Sequence, residues 1–122
     1  MTDRDPVDAA PQPPSALYNL ALLQGELLAR HRLSLYDCLI LGALDAADGR
    51  AVPLVRLTAF LRESATRMAS HLKSLEAAGL IERHRRDRDH RRVEVTLTAA
   101  GRAAFTDAEK AAQDRLRRGP VP

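Results

Sequence analysis

The chain has 122 residues and a formal net charge of +3; hydrophobic residues make up 45 % of it and aromatic residues only 3 %, which suits one domain with a core of leucine, valine and alanine. No apolar run approaches the ~18 residues that cross a bilayer, and the acidic, proline-rich start is unlike a secretory signal. The single cysteine excludes an internal disulfide and indicates a reducing compartment, so we expect a cytoplasmic protein.

A polar tail and a leucine-rich helix are predicted at the start of the chain. Four prolines and three aspartates lie within residues 1–14, which we expect to form a disordered tail. Residues 15–31 then carry a helical stripe that includes Leu17, Leu20 and Leu28. A helix this rich in leucine needs more than one surface to bury against.

A second helix is predicted to begin after Ser34. Asp37 follows three residues later, which is the spacing of a capping box. Residues 46–49 predict the turn that ends this helix, and residues 51–52 are expected to form a brief strand. The apolar positions of the helix are Leu35, Cys38, Leu39, Leu41 and Leu44.

Two helices joined by a short turn are predicted next, which is the layout of a helix-turn-helix unit. Arg62 and Glu63 form the turn, Ser64 suits the N-cap of the second helix, and Gly79 suits its C-terminal end. The first helix has apolar spacing at Leu54, Leu57, Thr58, Phe60 and Leu61. The second has Met68, Leu72 and Leu75 on one face and Thr66, Arg67, Ser70, His71 and Ser74 on the other.

An arginine-rich hairpin follows. Val93, Val95 and Leu97 alternate with polar residues, which predicts a strand with one buried face. From Glu82 to Arg92 there are six arginines and three acids, an excess of 6 − 3 = +3. Such a hairpin builds no core, and a polyanion is its natural partner because neutralising phosphates releases counterions.

A last helix is predicted over 98–118, with Thr98 as its N-cap. Its apolar side is formed by Phe105, Ala108, Ala112 and Leu116. Residues 119–122 are a short tail. The outer helices, 15–31 and 98–118, carry apolar stripes without a third layer to cover them, and an isologous dimer is the usual solution.

Three short motifs resemble those of MarR-type transcriptional regulators. Leu75-Glu76-Ala77-Ala78-Gly79-Leu80-Ile81 resembles the end of that family's recognition helix. The family's wing is resembled by Asp89-His90-Arg91-Arg92 followed by Leu97-Thr98-Ala99-Ala100-Gly101. Leu33-Ser34-Leu35 resembles the entry to the family's second helix. The resemblance covers roughly residues 33 to 105.

This resemblance implies an α+β, mostly helical fold: one winged helix-turn-helix domain over 15–118. Within it, 33–97 would be the DNA-binding core, and 15–31 and 98–118 the dimerisation helices. The implied function is that of a transcriptional regulator that binds specific sequences of double-stranded DNA. It would be a dimeric repressor that responds to a small ligand or an oxidant. The sequence departs from the family at Ser70 and His71, where basic residues are common.

The candidate DNA contacts fall into two groups. In the helix-turn-helix, Arg67 could pair bidentately with guanine, or Arg67 and Lys73 could touch only phosphates. In the wing, Asp89 would position Arg91 in a minor groove, or the two form a solvated ion pair. The full set is Ser64, Thr66, Arg67, Ser70, His71, Lys73, Ser74, Arg83, Arg85, Arg86, Arg88, Asp89 and Arg91.

Candidate effector or redox residues are His31, Tyr36 and Cys38. Cys38 is either a peroxide-sensing thiol or a small apolar residue on a core face, and its position among leucines favours the second interpretation. We expect no metal site, no cofactor and no enzymatic activity, because the histidines lack ligand spacing and no catalytic constellation is present. The alternative to a DNA-binding regulator is a winged-helix interaction module that has lost DNA readout.

Overall fold

The computed structural model describes residues 15–85 and 92–118; the predicted tails, 1–14 and 119–122, lie outside them. The elements are α1 (Ser15–Glu26), continued by a π-helical turn (Leu27–His31), α2 (Leu35–Ala46), β1 (Val52–Pro53), α3 (Leu54–Leu61), α4 (Ala65–Ala77), β2 (Ile81–Arg85), β3 (Val93–Leu97) and α5 (Ala99–Arg118). The predicted winged helix-turn-helix, α+β and mostly helical, is confirmed.

The chain itself buries only part of the predicted stripe on the first helical segment. Leu23 and Leu27 are in the core, whereas Leu17 is 67 % exposed and Leu20 and Leu28 are also exposed. Because this helix is apolar nearly all round, its sequence does not show which stripe faces the same chain. The segment ends at Arg32, which adopts a left-handed backbone conformation.

The capping box of α2 is confirmed. The backbone N–H of Asp37 donates to Ser34 Oγ at 3.0 Å, and the N–H of Ser34 donates to Asp37 Oδ2 at 2.9 Å. Helix α2 then buries Ile40, which the predicted apolar set omitted, together with Leu41 and Leu44. Leu39 was predicted to be on the buried face but is exposed.

The helix-turn-helix has the predicted bounds. Ser64 caps α4, since its Oγ accepts from the N–H of Arg67 at 3.2 Å. Met68, Leu72 and Leu75 are buried as predicted. Phe60 was assigned to the apolar side of α3, but its side chain is exposed because α3 packs through Leu57 and Leu61.

The strands form one antiparallel sheet in the order β1-β3-β2, with Ile81 opposite Leu97 and Arg85 opposite Val93. Val95 is buried, as the alternation predicts. Strand β1 lies one residue later than predicted. Pro53 has no N–H to donate, which an edge strand such as β1 tolerates.

Hydrogen bonds and close backbone packing join the base of the hairpin to the start of α5. The hydroxyl of Thr98 donates to the carbonyl of Gly79 at 2.7 Å and accepts from the N–H of Gly101 at 3.0 Å. A Cβ at Gly101 would lie 2.0 Å from the carbonyl oxygen of Leu80, so only glycine fits there. The L-T-x-x-G motif therefore joins the end of α4 to α5.

An ion pair joins the two outer helices. Arg115 is buried, and its guanidinium donates two hydrogen bonds to Glu26 Oε1, one of them from Nε at 3.1 Å. This hydrogen bonding lowers the pKa of Glu26. Leu116, on the predicted apolar side of α5, is 57 % exposed, whereas its neighbour Arg115 is buried beside Glu26.

We predict that Glu26→Gln destabilises the protein at pH 7 by about 1–3 kcal/mol, since it leaves a buried arginine without its counter-charge. Because folding lowers the pKa of Glu26, the pair stabilises the fold above the ordinary value of 4.5, and this stabilisation is lost as the pH falls through the lowered value. In urea denaturation at fixed protein concentration, the free energies of unfolding of the unmutated protein and of Glu26→Gln should therefore converge progressively below about pH 4.5.

The matched control is Asp45→Asn, which removes an exposed partner of Arg102 at 3.5 Å. This change should cost less than about 1 kcal/mol. A Glu26→Gln variant no less stable than the Asp45→Asn variant at pH 7 would contradict the account.

Candidate nucleic-acid interface

One face of α4 is polar and turned away from the core. Arg67, Ser70 and Ser74 are exposed there, and so are Thr66 and Lys73. The Arg67 side chain is 76 % exposed and lies 3.9 Å from Glu63 Oε1. Since Met68, Leu72 and Leu75 are buried on the opposite side, the exposed face can meet a macromolecule without any change in the core.

His71 differs from its neighbours on α4. Its Nδ1 lies 3.2 Å from Asp37 Oδ1, and its ring stacks on Tyr36 with 5.5 Å between centroids. The hydroxyl of Tyr36 donates to the carbonyl of Leu61 at 3.0 Å. The cluster therefore joins the start of α2, the end of α3 and the middle of α4.

Arg83 joins the hairpin to α4. Its Nε and Nη2 both donate to Glu76 Oε1, at 3.0 and 2.7 Å, and this hydrogen bonding lowers the pKa of Glu76. Arg83, which was predicted to contact a phosphate, is therefore already paired within the chain. Arg85 lies at the end of β2 and is exposed. The remaining predicted wing residues, Arg86, Arg88, Asp89 and Arg91, lie outside the described residues.

Two carboxylates that organise this surface were not among the candidate site residues. Asp37 was assigned only to a cap, and Glu76 only to a family motif. Both act across elements: Asp37 on α2 reaches α4, and Glu76 on α4 reaches β2. Neither pair has the three- or four-residue spacing of neighbours on one helix, so only the folded topology reveals the contacts.

The three candidate effector residues do not share one site. Cys38 lines a cavity of about 140 Å³ between α2, α5 and the π-helical turn, with mostly apolar walls that include Leu27, Leu35 and Phe105. Tyr36 instead lines an open cleft of about 450 Å³ beside Arg67 and His71. His31 is half-buried and borders neither.

The environment of Cys38 disfavours a thiolate. Burial, and then the negative charges of Asp37 and Glu109, raise the pKa of the thiol to about 11. The thiolate is the form that peroxide oxidises, so this setting slows oxidation.

Residues 15–85 and 92–118 contain neither a candidate metal site nor a membrane-spanning helix. Within these ranges, no cluster of three or more histidine, cysteine or acidic side chains could hold a metal ion. None of the helices there combines the length and the apolar character needed to cross a bilayer.

The architecture, with its capped second helix and its basic hairpin, is that of a winged helix-turn-helix DNA-binding protein. Residues 40–116 match the family model described as a winged helix DNA-binding domain, and the chain belongs to that family. A comparison with curated protein sequences gives no significant match.

Solved structures with the same fold are transcriptional regulators. BldR from Sulfolobus solfataricus matches with a TM-score of 0.72 at 24 % identity over 81 % of this chain and 69 % of that one. A MarR-family regulator from Silicibacter pomeroyi matches with a TM-score of 0.66 at 28 % identity, over 82 % and 65 %. A mutant MarR from E. coli, complexed with operator DNA, matches with a TM-score of 0.69 at 24 % identity, over 82 % and 70 %.

These matches confirm the predicted resemblance to MarR-type regulators. They also agree with the prediction that the protein is not an enzyme, since the similar structures are regulators.

We predict that Cys38→Ser binds DNA within about twofold of the unmutated protein and loses about 1 kcal/mol of stability, since a hydroxyl replaces a thiol in a mostly apolar setting. Mild peroxide should leave the DNA affinity of both proteins unchanged, as measured by fluorescence anisotropy. Release of the unmutated protein by peroxide, with the Cys38→Ser variant still bound, would show that the thiol is a sensor.

Proposed function

We propose that the protein is a sequence-specific regulator of transcription that binds double-stranded DNA as a homodimer and acts as a repressor. The observation that carries this proposal is the exposed polar face of α4, held beside the basic hairpin by the Arg83–Glu76 pair. An α-helix fits the major groove, and an adjoining basic hairpin can reach the flanking minor groove. We assign the protein to the cytoplasm, where it would meet DNA.

On this proposal α4 is the recognition helix. Arg67 would pair with guanine, while Ser70, Ser74 and Thr66 would contact base edges or phosphates. Lys73 and Arg85 would neutralise phosphates, and Ser64 would meet one at the start of α4, where backbone N–H groups favour an anion. In the wing tip, Asp89 would hold Arg91 in a minor groove, with Arg86 and Arg88 on the backbone.

The salt dependence of binding tests this proposal. On random-sequence duplex DNA, log affinity should fall steeply with log salt, and Lys73→Ala should reduce that slope by about 1. On a DNA sequence that the protein prefers, Arg67→Ala should weaken binding by about 1–3 kcal/mol. The control is Lys110→Ala, an exposed cation on α5, which should change neither quantity.

A flat salt dependence would contradict DNA binding and favour the alternative, an interaction module for a protein partner. One observation supports that alternative: His71 is engaged with Asp37, which leaves Arg67 and Lys73 as the exposed basic residues of α4. Binding to a protein partner would depend far less on salt.

The homodimer is supported by the outer helices. Leu17, Leu20 and Leu28 on the first helical segment are exposed, and so is Leu116 on α5. These are the leucines that the sequence assigned to apolar stripes, and the chain itself does not cover them. We propose that a second copy does, with 15–31 and 98–118 as dimerisation helices around the core 33–97.

We predict that Leu20→Glu combined with Leu116→Glu gives a monomer, because each charge would be buried at the interface. Sedimentation equilibrium at micromolar concentration should show a dimer for the unmutated protein. The control is Val55→Glu on α3, whose side chain is 72 % exposed but lies outside the outer helices, and this variant should stay dimeric. A monomeric unmutated protein would contradict the assignment.

We propose that a small effector molecule controls DNA binding. The cavity beside Cys38 lies where α2 meets α5 and the π-helical turn, which is the boundary between the proposed core and the outer helices. A small apolar ligand there would bias the separation of the two DNA-binding lobes. The raised pKa of Cys38 supports a ligand rather than an oxidant as the signal.

A further inference from the structure

His71, on the polar face of α4, is held by a carboxylate on another helix. Asp37 uses Oδ2 to accept from the N–H of Ser34 and Oδ1 to meet His71 Nδ1. The stacked ring of Tyr36 fixes the plane of the imidazole. Both ring contacts come from α2, so the ring is held in place independently of any ligand.

The carboxylate determines which nitrogen carries the proton. An ionised carboxylate only accepts hydrogen bonds, so Nδ1 must be the protonated nitrogen when His71 is neutral. Within residues 15–85 and 92–118, no hydrogen bond engages Nε2. Nε2 of the neutral ring is therefore an acceptor, and it becomes a donor only when the ring takes up a second proton.

A DNA phosphate presents only acceptors. The ring lines the open cleft beside Arg67 and Ser70, on the face proposed to meet DNA. Neutral His71 would place two acceptors against each other there, whereas the cation would donate a charge-assisted hydrogen bond. We propose that His71 is a proton-dependent phosphate contact, so that DNA affinity rises as the pH falls. This inference rests on the proposed function.

Acidic and basic groups both lie around the ring. Asp37 from α2 and Glu63 from the turn before α4 are anionic, and Tyr36, Ser34 and Gln24 in the same cleft are neutral. Arg67, one turn earlier on α4, is the opposing cation, but its side chain is largely exposed and therefore screened. Phosphates would add further negative charge on binding.

The test is the affinity for random-sequence duplex DNA at fixed salt between pH 8 and pH 6. The unmutated protein should bind more tightly at pH 6, with a limit of about tenfold per pH unit for each proton taken up. His71→Gln keeps a polar group of similar reach but cannot titrate, and it should lose at least about threefold of this gain. Thermal melts at both pH values show whether each variant is folded.

Two further variants separate this role from general electrostatics. His84→Gln, in β2, removes a histidine that meets Thr96 and should keep most of the gain. In Asp37→Asn the new side-chain amide can donate to His71 Nδ1, so the neutral ring can carry its proton on Nε2. It should therefore bind at pH 8 at least as well as the unmutated protein and gain less at pH 6.

An equal pH gain in the unmutated protein and His71→Gln would overturn this inference, and so would an unchanged gain in Asp37→Asn. Either result leaves the proposed function standing, because DNA is still bound. An absence of DNA binding at every pH would instead overturn the proposed function, and this inference with it.

Discussion

The burial of three side chains on α4 sets the geometry on which the rest of the structure depends. Met68, Leu72 and Leu75 are enclosed by the core, so α4 cannot rotate about its axis without exposing them. Rotation is opposed further by two cross-element contacts, His71 with Asp37 on α2 and Glu76 with Arg83 on β2. The polar face of α4 is thereby presented in one orientation before any partner binds.

The hairpin and the outer helices are held to α4 by different means. Thr98 and Gly101 bring the backbone of α5 against the end of α4, with no room for a side chain at Gly101. The pair between Glu26 and Arg115 then ties α5 to the first helical segment. A change in the spacing of the outer helices would therefore be transmitted to the base of the hairpin.

Periodicity and capping chemistry predicted the local structure well. The stripe on α4, the Ser34–Asp37 capping box and the Ser64 cap are determined by residues a few positions apart, and all three are present. The buried face of α1 was not predictable, because the helix is apolar on two sides and only the position of α5 decides between them. The burial of Arg115 was not predictable either, since its partner lies 89 residues away.

The candidate site also contains features that could be predicted from local sequence and features that could not. The exposure of Arg67, Ser70 and Ser74 follows from helical spacing, whereas the engagement of His71 and Arg83 depends on which helices and strands become neighbours. A sequence motif marks Glu76, but its contact with Arg83 spans the turn between α4 and β2. Residues that act within one element could be predicted, and residues that join two elements could not.

On the proposed function, α4 reads DNA as one half of a two-fold assembly. Selection of bound sequences from a random pool of duplex DNA tests this directly. We expect an enriched pseudo-palindrome whose half-sites lie about one helical turn apart, roughly 10–11 base pairs from centre to centre. A pool without any enriched sequence, or one enriched in a single half-site without inverted symmetry, would contradict it.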